Sequence, residues 1–159
     1  ARHGLGPRER RLLTAAAALH GVGTALALRR QQEHGAYLVA HAELRGFPPD
    51  ETAILTTLVR FHPSRGLSRR FPPLASLGAE DRRACAVLLG LLQVADALDA
   101  GHDQRVRLDG ARVEGGELVL VTTGAGADDP VVARAVRDRG GPLAEALGLE
   151  VALRRRAAA

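Results

Sequence analysis

Leu12, Leu13, Ala16, Leu19 and His20 recur at helical spacing behind Pro7-Arg8-Glu9, a favourable first turn, and so predict a helix that stops near Gly21 and Gly23. A second helical segment is expected from about His34 to Leu44, ending at Gly46-Phe47-Pro48. The third opens with Pro48-Pro49-Asp50-Glu51 and carries Ile54, Leu55, Leu58, Val59 and Phe61 on one stripe before Pro63 breaks it. Residues 63 to 78, rich in Arg, Pro and Gly, read as a loop. From Ala79 to about Ala100 the chain is apolar almost all round, through Val87, Leu88, Leu89, Leu91, Leu92, Val94, Ala95 and Leu98, which predicts a central, buried helix.

After Gly101 the period changes. Arg105-Val106-Arg107-Leu108 and Glu117-Leu118-Val119-Leu120-Val121-Thr122-Thr123 alternate or are β-branched, and Glu114-Gly115-Gly116 between them is a hairpin signal. Asp128-Asp129-Pro130 caps a helix expected from about Val131 to Leu147; Gly148 ends it and Leu149 to Leu153 returns as a strand. The fold class is therefore α+β, a mostly helical bundle over residues 1–103 followed by a small ββαβ lobe over 104–156, with 157–159 a frayed tail. At 159 residues this is one domain's worth of chain.

Composition changes the picture in two places. With three Phe, one Tyr and no Trp, the core must be aliphatic, and the aromatics that stack on nucleic-acid bases are scarce, so no nucleic-acid partner is expected. All 22 basic residues are Arg and the net charge is +4. Arg grips phosphate oxygens in a fork, which suits a polyanion; a chain free of Lys and rich in Ala, Gly, Leu and Arg also follows from GC-rich coding, so composition alone establishes no phosphate site. The lone Cys85 lies in an apolar run and reads as a small buried thiol. No disulfide is possible, no signal peptide opens the chain and no apolar stretch reaches membrane-spanning length, so a cytoplasmic protein with no membrane partner is expected. The first residue is Ala, which reads as a piece of a longer protein.

Five polar positions are candidates to converge: His20 closing the first helix, His34 opening the second, His62 closing the third, and Asp96 and Asp99 in the buried fourth. A carboxylate inside Leu92-Gln93-Val94-Ala95-Asp96-Ala97-Leu98-Asp99 is expensive to bury and calls for a cation, an Arg or a set of donors. These residues serve either as hydrogen-bonded ties between helices or as a ligand-facing set. A separate basic set, Arg60 and His62 with Arg65 and Arg105, is the candidate anion-binding surface, with Arg69 and Arg70 on the same Arg-rich loop. No phosphate-cradling Gly-Lys-Ser/Thr loop, paired-Gly fingerprint after a strand or Gly-x-Ser-x-Gly elbow occurs.

Leu19-His20-Gly21-Val22-Gly23 resembles the Leu-His-Asp-Ile-Gly end of a helix in His-Asp (HD) phosphohydrolases, with Gly21 where the metal-binding carboxylate stands. Taken in order, Ala16 to Gly23, His34 to Val39, Glu43-Leu44-Arg45-Gly46-Phe47, Val59-Arg60-Phe61-His62 and Leu92 to Asp99 resemble the C-terminal half of the exopolyphosphatase/guanosine pentaphosphate phosphatase (Ppx/GppA) family. The resemblance covers nearly the whole chain and implies an HD-like bundle, truncated at its N-terminus. It also implies that catalysis, the catalytic Glu and magnesium belong to N-terminal actin-like domains absent from these residues, so that this chain holds no catalytic residue and no cofactor.

On that resemblance the expected role is an accessory domain that binds or guides polyphosphate, through Arg60, His62, Arg65 and Arg105, for a phosphohydrolase active site elsewhere, with His20, His34, Asp96 and Asp99 organising the helix junction. The expected partners are polyphosphate or another polyphosphorylated anion, the actin-like domains, and a second copy in a homodimer. Gly21, Phe61 in place of a common Tyr, and the unsuitable spacing of His3 depart from the pattern and weaken metal-dependent hydrolysis. Two alternatives stand beside this reading: an autonomous HD-type metal phosphohydrolase with His20, His34, His62 and Asp96 as ligands, and a structural or dimerisation module.

Overall fold

A computed structural model describes residues 4–64 and 66–156; the expectations for His3, Arg65 and the tail at 157–159 lie outside the described residues. Helix α1 spans Pro7–Leu19, with Pro7 in its first turn and the Glu9 carboxylate accepting from the Gly6 N–H at 2.8 Å. That amide holds the Glu9 carboxyl below its ordinary range. A 3₁₀ turn, Val22–Ala25, leads to α2 at Gln31–His41, and α3 follows at Pro49–Phe61. α4, Pro72–Ala75, is one short turn within the expected loop, and α5 is the long helix Ala79–Leu98.

Strands β1 (Arg107–Glu114) and β2 (Glu117–Thr123) form an antiparallel hairpin. Gly115 and Gly116 both take positive φ, 54° and 88°, as a two-residue turn with right-handed strand twist demands. Helices α6 (Pro130–Arg139) and α7 (Gly141–Leu147) cross to β3 (Glu150–Arg155), which pairs parallel with β2; the sheet order is β1-β2-β3. The α+β architecture, a helical bundle followed by a small sheet lobe, is as the sequence reads.

Several boundaries differ from expectation: α2 ends at His41 rather than near Leu44, and the first strand, expected over Arg105–Leu108, runs Arg107–Glu114 up to the hairpin turn. α2 begins three residues early because Arg30, at φ 59° and ψ 29°, supplies its left-handed entry without any capping side chain. The helix expected from Val131 to Leu147 is two helices: Gly140-Gly141 bends the chain, and Pro142 has no N–H to continue the ladder. The lobe is therefore ββααβ.

α5 is apolar all round because it serves two cores. One side packs Cys85, Leu88, Leu89 and Leu92 against Leu12 and Ala16 of α1, Val39 of α2 and Ile54, Leu55, Leu58 and Val59 of α3. The other presents Val87 and Val94 to Leu120 and Leu143, with Val151 and Leu153 packed alongside. Gly90 makes the second contact close: a Cβ there would lie 2.6 Å from Leu143 Cα. Cys85 is fully buried, and burial pushes its thiol up to about 12, so it stays a protonated core side chain.

Candidate functional site

The bundle and lobe meet where α1, α3, α5 and α6 converge. His20 and His62 stand at equivalent places, each the first residue beyond its helix, α1 or α3. Each turns Nδ1 back on the carbonyl three residues earlier, His20 on Ala17 at 2.7 Å and His62 on Val59 at 2.8 Å. A carbonyl only accepts, so both Nδ1 atoms carry the hydrogen and both Nε2 atoms remain free as acceptors in the neutral rings. The two rings meet edge to face with centroids 5.2 Å apart.

Asp96, one helix away on α5, receives its cation from within the chain. Arg139, the last residue of α6, donates Nη1 to Asp96 Oδ2. Asp96 is partly rather than fully buried, and its need for a counter-charge is met by an arginine that ties the lobe to the bundle, forty-three positions along the chain. Gln93, 2% exposed, lies one turn before Asp96 and donates its amide to the carbonyls of Phe61 (3.2 Å) and Ser64. This fixes its orientation and leaves Oε1 buried without a hydrogen-bond partner. Beside these groups opens a cavity of about 480 Å³, lined by His62, Ser64, Gln93, Asp138, Arg139 and Glu145 among others.

Burial is the main reason that His62 titrates below its ordinary value of 6.5; His20 and Arg139 push the same way, against the Val59 hydrogen bond and Asp96. A lowered folded-state pKa means that the unfolded chain takes up the proton first. The stability due to the neutral ring is fully present above about pH 6.5 and is lost as the pH falls from there through the lower folded value. Urea midpoints measured through that window are expected to fall with pH, and to fall less steeply in His62→Gln. An equal slope in both proteins would assign the dependence to other groups.

The remaining sequence candidates sit apart. Asp99 caps α5 and accepts the Gln104 N–H at 2.9 Å, shaping the connection into the lobe. Among the described residues, no hydrogen bond, ion pair or ring contact joins the His34 side chain, in the first turns of α2, to His20, His62 or Asp96. Arg60 shares the end of α3 with His62, but its guanidinium reaches Glu33 at 3.2 Å and lies 5.3 Å from the Phe61 ring centroid. Arg105 is half exposed, 3.7 Å from Asp103 on the connection to β1. Among the described residues, no group of three or more His, Cys, Asp or Glu is placed to hold a metal ion.

Three features escaped sequence reading. Gln93 gave no signal beyond being polar in an apolar run, and Arg139 is one of 22 arginines. Third is a charge network at the other end of the bundle. Glu51, its side chain 5% exposed, accepts from Arg8 at 3.0 Å and from Arg11, while Arg8 also reaches Asp81 (2.7 Å) and Asp50 (2.9 Å). The Asp81 hydrogen bond leads in holding the Arg8 guanidinium protonated well beyond its ordinary range. Spacing puts Arg8 and Arg11 on one helical face and Asp50 and Glu51 in a first turn, but not against each other.

The sequence model of Ppx/GppA phosphatase domain III matches residues 3–115, more than half of the chain, from α1 to the hairpin turn. Over 56 residues the chain is 36% identical to a guanosine-5'-triphosphate,3'-diphosphate pyrophosphatase of Photobacterium profundum. That stretch is 35% of this chain and 11% of the relative, so the similarity spans about a tenth of the longer protein. No helix among the described residues is long and apolar enough to cross a membrane.

Proposed function

The chain belongs to the Ppx/GppA phosphatase family, as its domain III, and from that premise we propose that it is an accessory, non-catalytic domain of a phosphatase acting on polyphosphorylated anions. The observation that carries this reading is the Arg139 to Asp96 pair. Where an HD-type enzyme would assemble a metal, Gly21 offers no carboxylate and the remaining one is neutralised by an arginine of the lobe. An arginine clamp holds a junction rigid; it activates no water.

The anion contacts in this reading are Arg60, at the end of α3, and Arg105, on the connection to the lobe, together with Arg65, which lies outside the described residues. His62, the first residue beyond α3, contributes through its Nε2. His20, Asp96 and Asp99 hold the junction, and His34 supports α2. Magnesium and hydrolysis belong to actin-like catalytic domains that this domain would extend, in the cytoplasm.

Long-chain polyphosphate, titrated calorimetrically into the protein at low ionic strength, is expected to bind and to weaken steeply as salt is raised, because the contacts are charge to charge. The double substitution Arg60→Ala/Arg105→Ala is expected to weaken binding about tenfold or more, each lost charged contact contributing about 1 kcal/mol. No binding at low salt, or binding indifferent to both arginines, defeats the proposal.

A further inference from the structure

The cavity between bundle and lobe has a chemistry that the arginine contacts for an anion do not use. It measures about 480 Å³ and is bounded by the chain just beyond α3, by α5, and by the bend between α6 and α7. Its buried wall offers acceptors. His62, 5% exposed, donates Nδ1 to the Val59 carbonyl, so the neutral ring holds Nε2 as an acceptor on the edge turned away from the helix. Gln93, 2% exposed, commits its amide donors to Phe61 and Ser64 and keeps Oε1 buried with no donor. An acceptor in that state is costly, and a ligand N–H brought to it removes the cost.

The charges point the same way. Arg139 is the one cation named in the lining, and Asp96 meets its charge. Asp138 and Glu145 then leave the cavity net negative. Asp138 has Arg134 at 3.6 Å, but that arginine is 82% exposed, and no hydrogen bond or ion pair engages Glu145 among the described residues. α3 ends at the cavity, and the C-terminal end of a helix favours positive charge near its last turn. The end of α6 and the start of α7 adjoin at Gly140-Gly141, so their dipole ends offset each other. Pro63 and Pro142 add apolar wall for a short hydrocarbon stem.

We propose that this cavity binds a small organic cation carrying N–H donors, of the alkylammonium or guanidinium class. Its N–H groups donate to His62 Nε2 and Gln93 Oε1, Asp138 and Glu145 balance its charge, and its stem lies along the two prolines. The inference goes beyond the anion reading and does not rest on it. An anion at His62 needs the ring protonated, so that Nε2 donates; the cation needs the ring neutral, so that Nε2 accepts. The two ligands exclude one another at that nitrogen alone, because Arg60 and Arg105 take no part in the cation site.

The test uses agmatine, a guanidinium and a primary ammonium on a four-carbon stem, titrated into the full chain at neutral pH by calorimetry and by NMR of the histidine rings. Saturable binding is expected, with the His62 Nε2 resonance moving in step with the calorimetric isotherm. Tetramethylammonium carries the charge but no N–H, and is expected to bind about tenfold more weakly or less. Asp138→Asn/Glu145→Gln changes two exposed side chains outside the core, and is expected to weaken agmatine about tenfold or more while the urea midpoint stays in place. Arg60→Ala/Arg105→Ala is expected to leave agmatine binding unchanged, so failure of this proposal and failure of the anion reading are distinguishable. No saturable binding, tetramethylammonium binding as tightly as agmatine, indifference to the Asp138 and Glu145 changes, or a His62 Nε2 resonance that stays still at saturation would each overturn the proposal.

Discussion

Gly23→Ala is expected to cost about 3 kcal/mol or more of folding stability, the range of severe overpacking against an element that cannot yield. A Cβ at this position would sit 1.8 Å from the Gln31 carbonyl oxygen and 2.5 Å from the Gly35 amide nitrogen, both backbone atoms of α2. Gly35 in turn has Val59 Cγ1 2.8 Å from where its own Cβ would be, so the turn, α2 and α3 are stacked through two glycines. A Cβ at Gly23 therefore has to move a helix. Gly21 is the internal control. Its φ is −94°, and nothing lies within 4 Å of a Cβ, so Gly21→Asp, which restores the absent carboxylate, is expected to change stability by no more than about 0.5 kcal/mol. Chemical denaturation of the two variants beside the parent chain decides it. Equal stability of Gly23→Ala and the parent would show that the turn does not seat on α2 this closely.

Arg139→Ala is the second large effect, with two readouts. Removing the guanidinium leaves Asp96, its side chain 18% exposed, without its cation, for an expected loss of about 1 to 2 kcal/mol once the 42% exposure of Arg139 is taken into account. The same change should raise the pKa of His62. Arg139 opposes the imidazolium while Asp96 favours it, so deleting the arginine leaves the carboxylate's pull unopposed. Arg139→Lys keeps a charge without the fork and is expected to fall between the two. Following the His62 ring protons by NMR across pH separates this from a merely weakened fold: an unchanged His62 titration in a folded Arg139→Ala protein would refute the electrostatic coupling.

Legibility along this chain followed the range of the forces involved. α1, α3 and α5 were readable because Pro7, Pro49 and the apolar periodicity act within a few residues, and the hairpin was readable because Gly115-Gly116 supplies both positive φ values of its turn. The start of α2 was not, since a left-handed Arg30 has no sequence signature. The lobe's helix was read as one because Val131 to Leu147 keeps its apolar spacing across Gly140-Gly141-Pro142, and the break is local chemistry that the periodicity overrode.

The candidate site divides the same way. That Asp96 needed a counter-charge followed from one carboxylate in an apolar helix; that Arg139 supplies it followed only from the packing of α6 beside α5. His20 and His62 were marked as helix-end histidines, yet their edge-to-face contact depends on α1 and α3 ending side by side.

By itself, then, the sequence determined the α+β class, the places of α1, α3 and α5 and of the hairpin turn, the aliphatic core, and the family landmark around His20-Gly21. Only tertiary structure decided that Gly23 is a packing requirement while Gly21 is not, which arginine closes the junction, and that α5 serves two cores. The reason is physical. Propensity, capping and turn chemistry are carried by neighbours in the chain, whereas a clamp between positions forty-three residues apart exists only after Leu143, Leu120 and Val94 have packed the lobe onto the bundle.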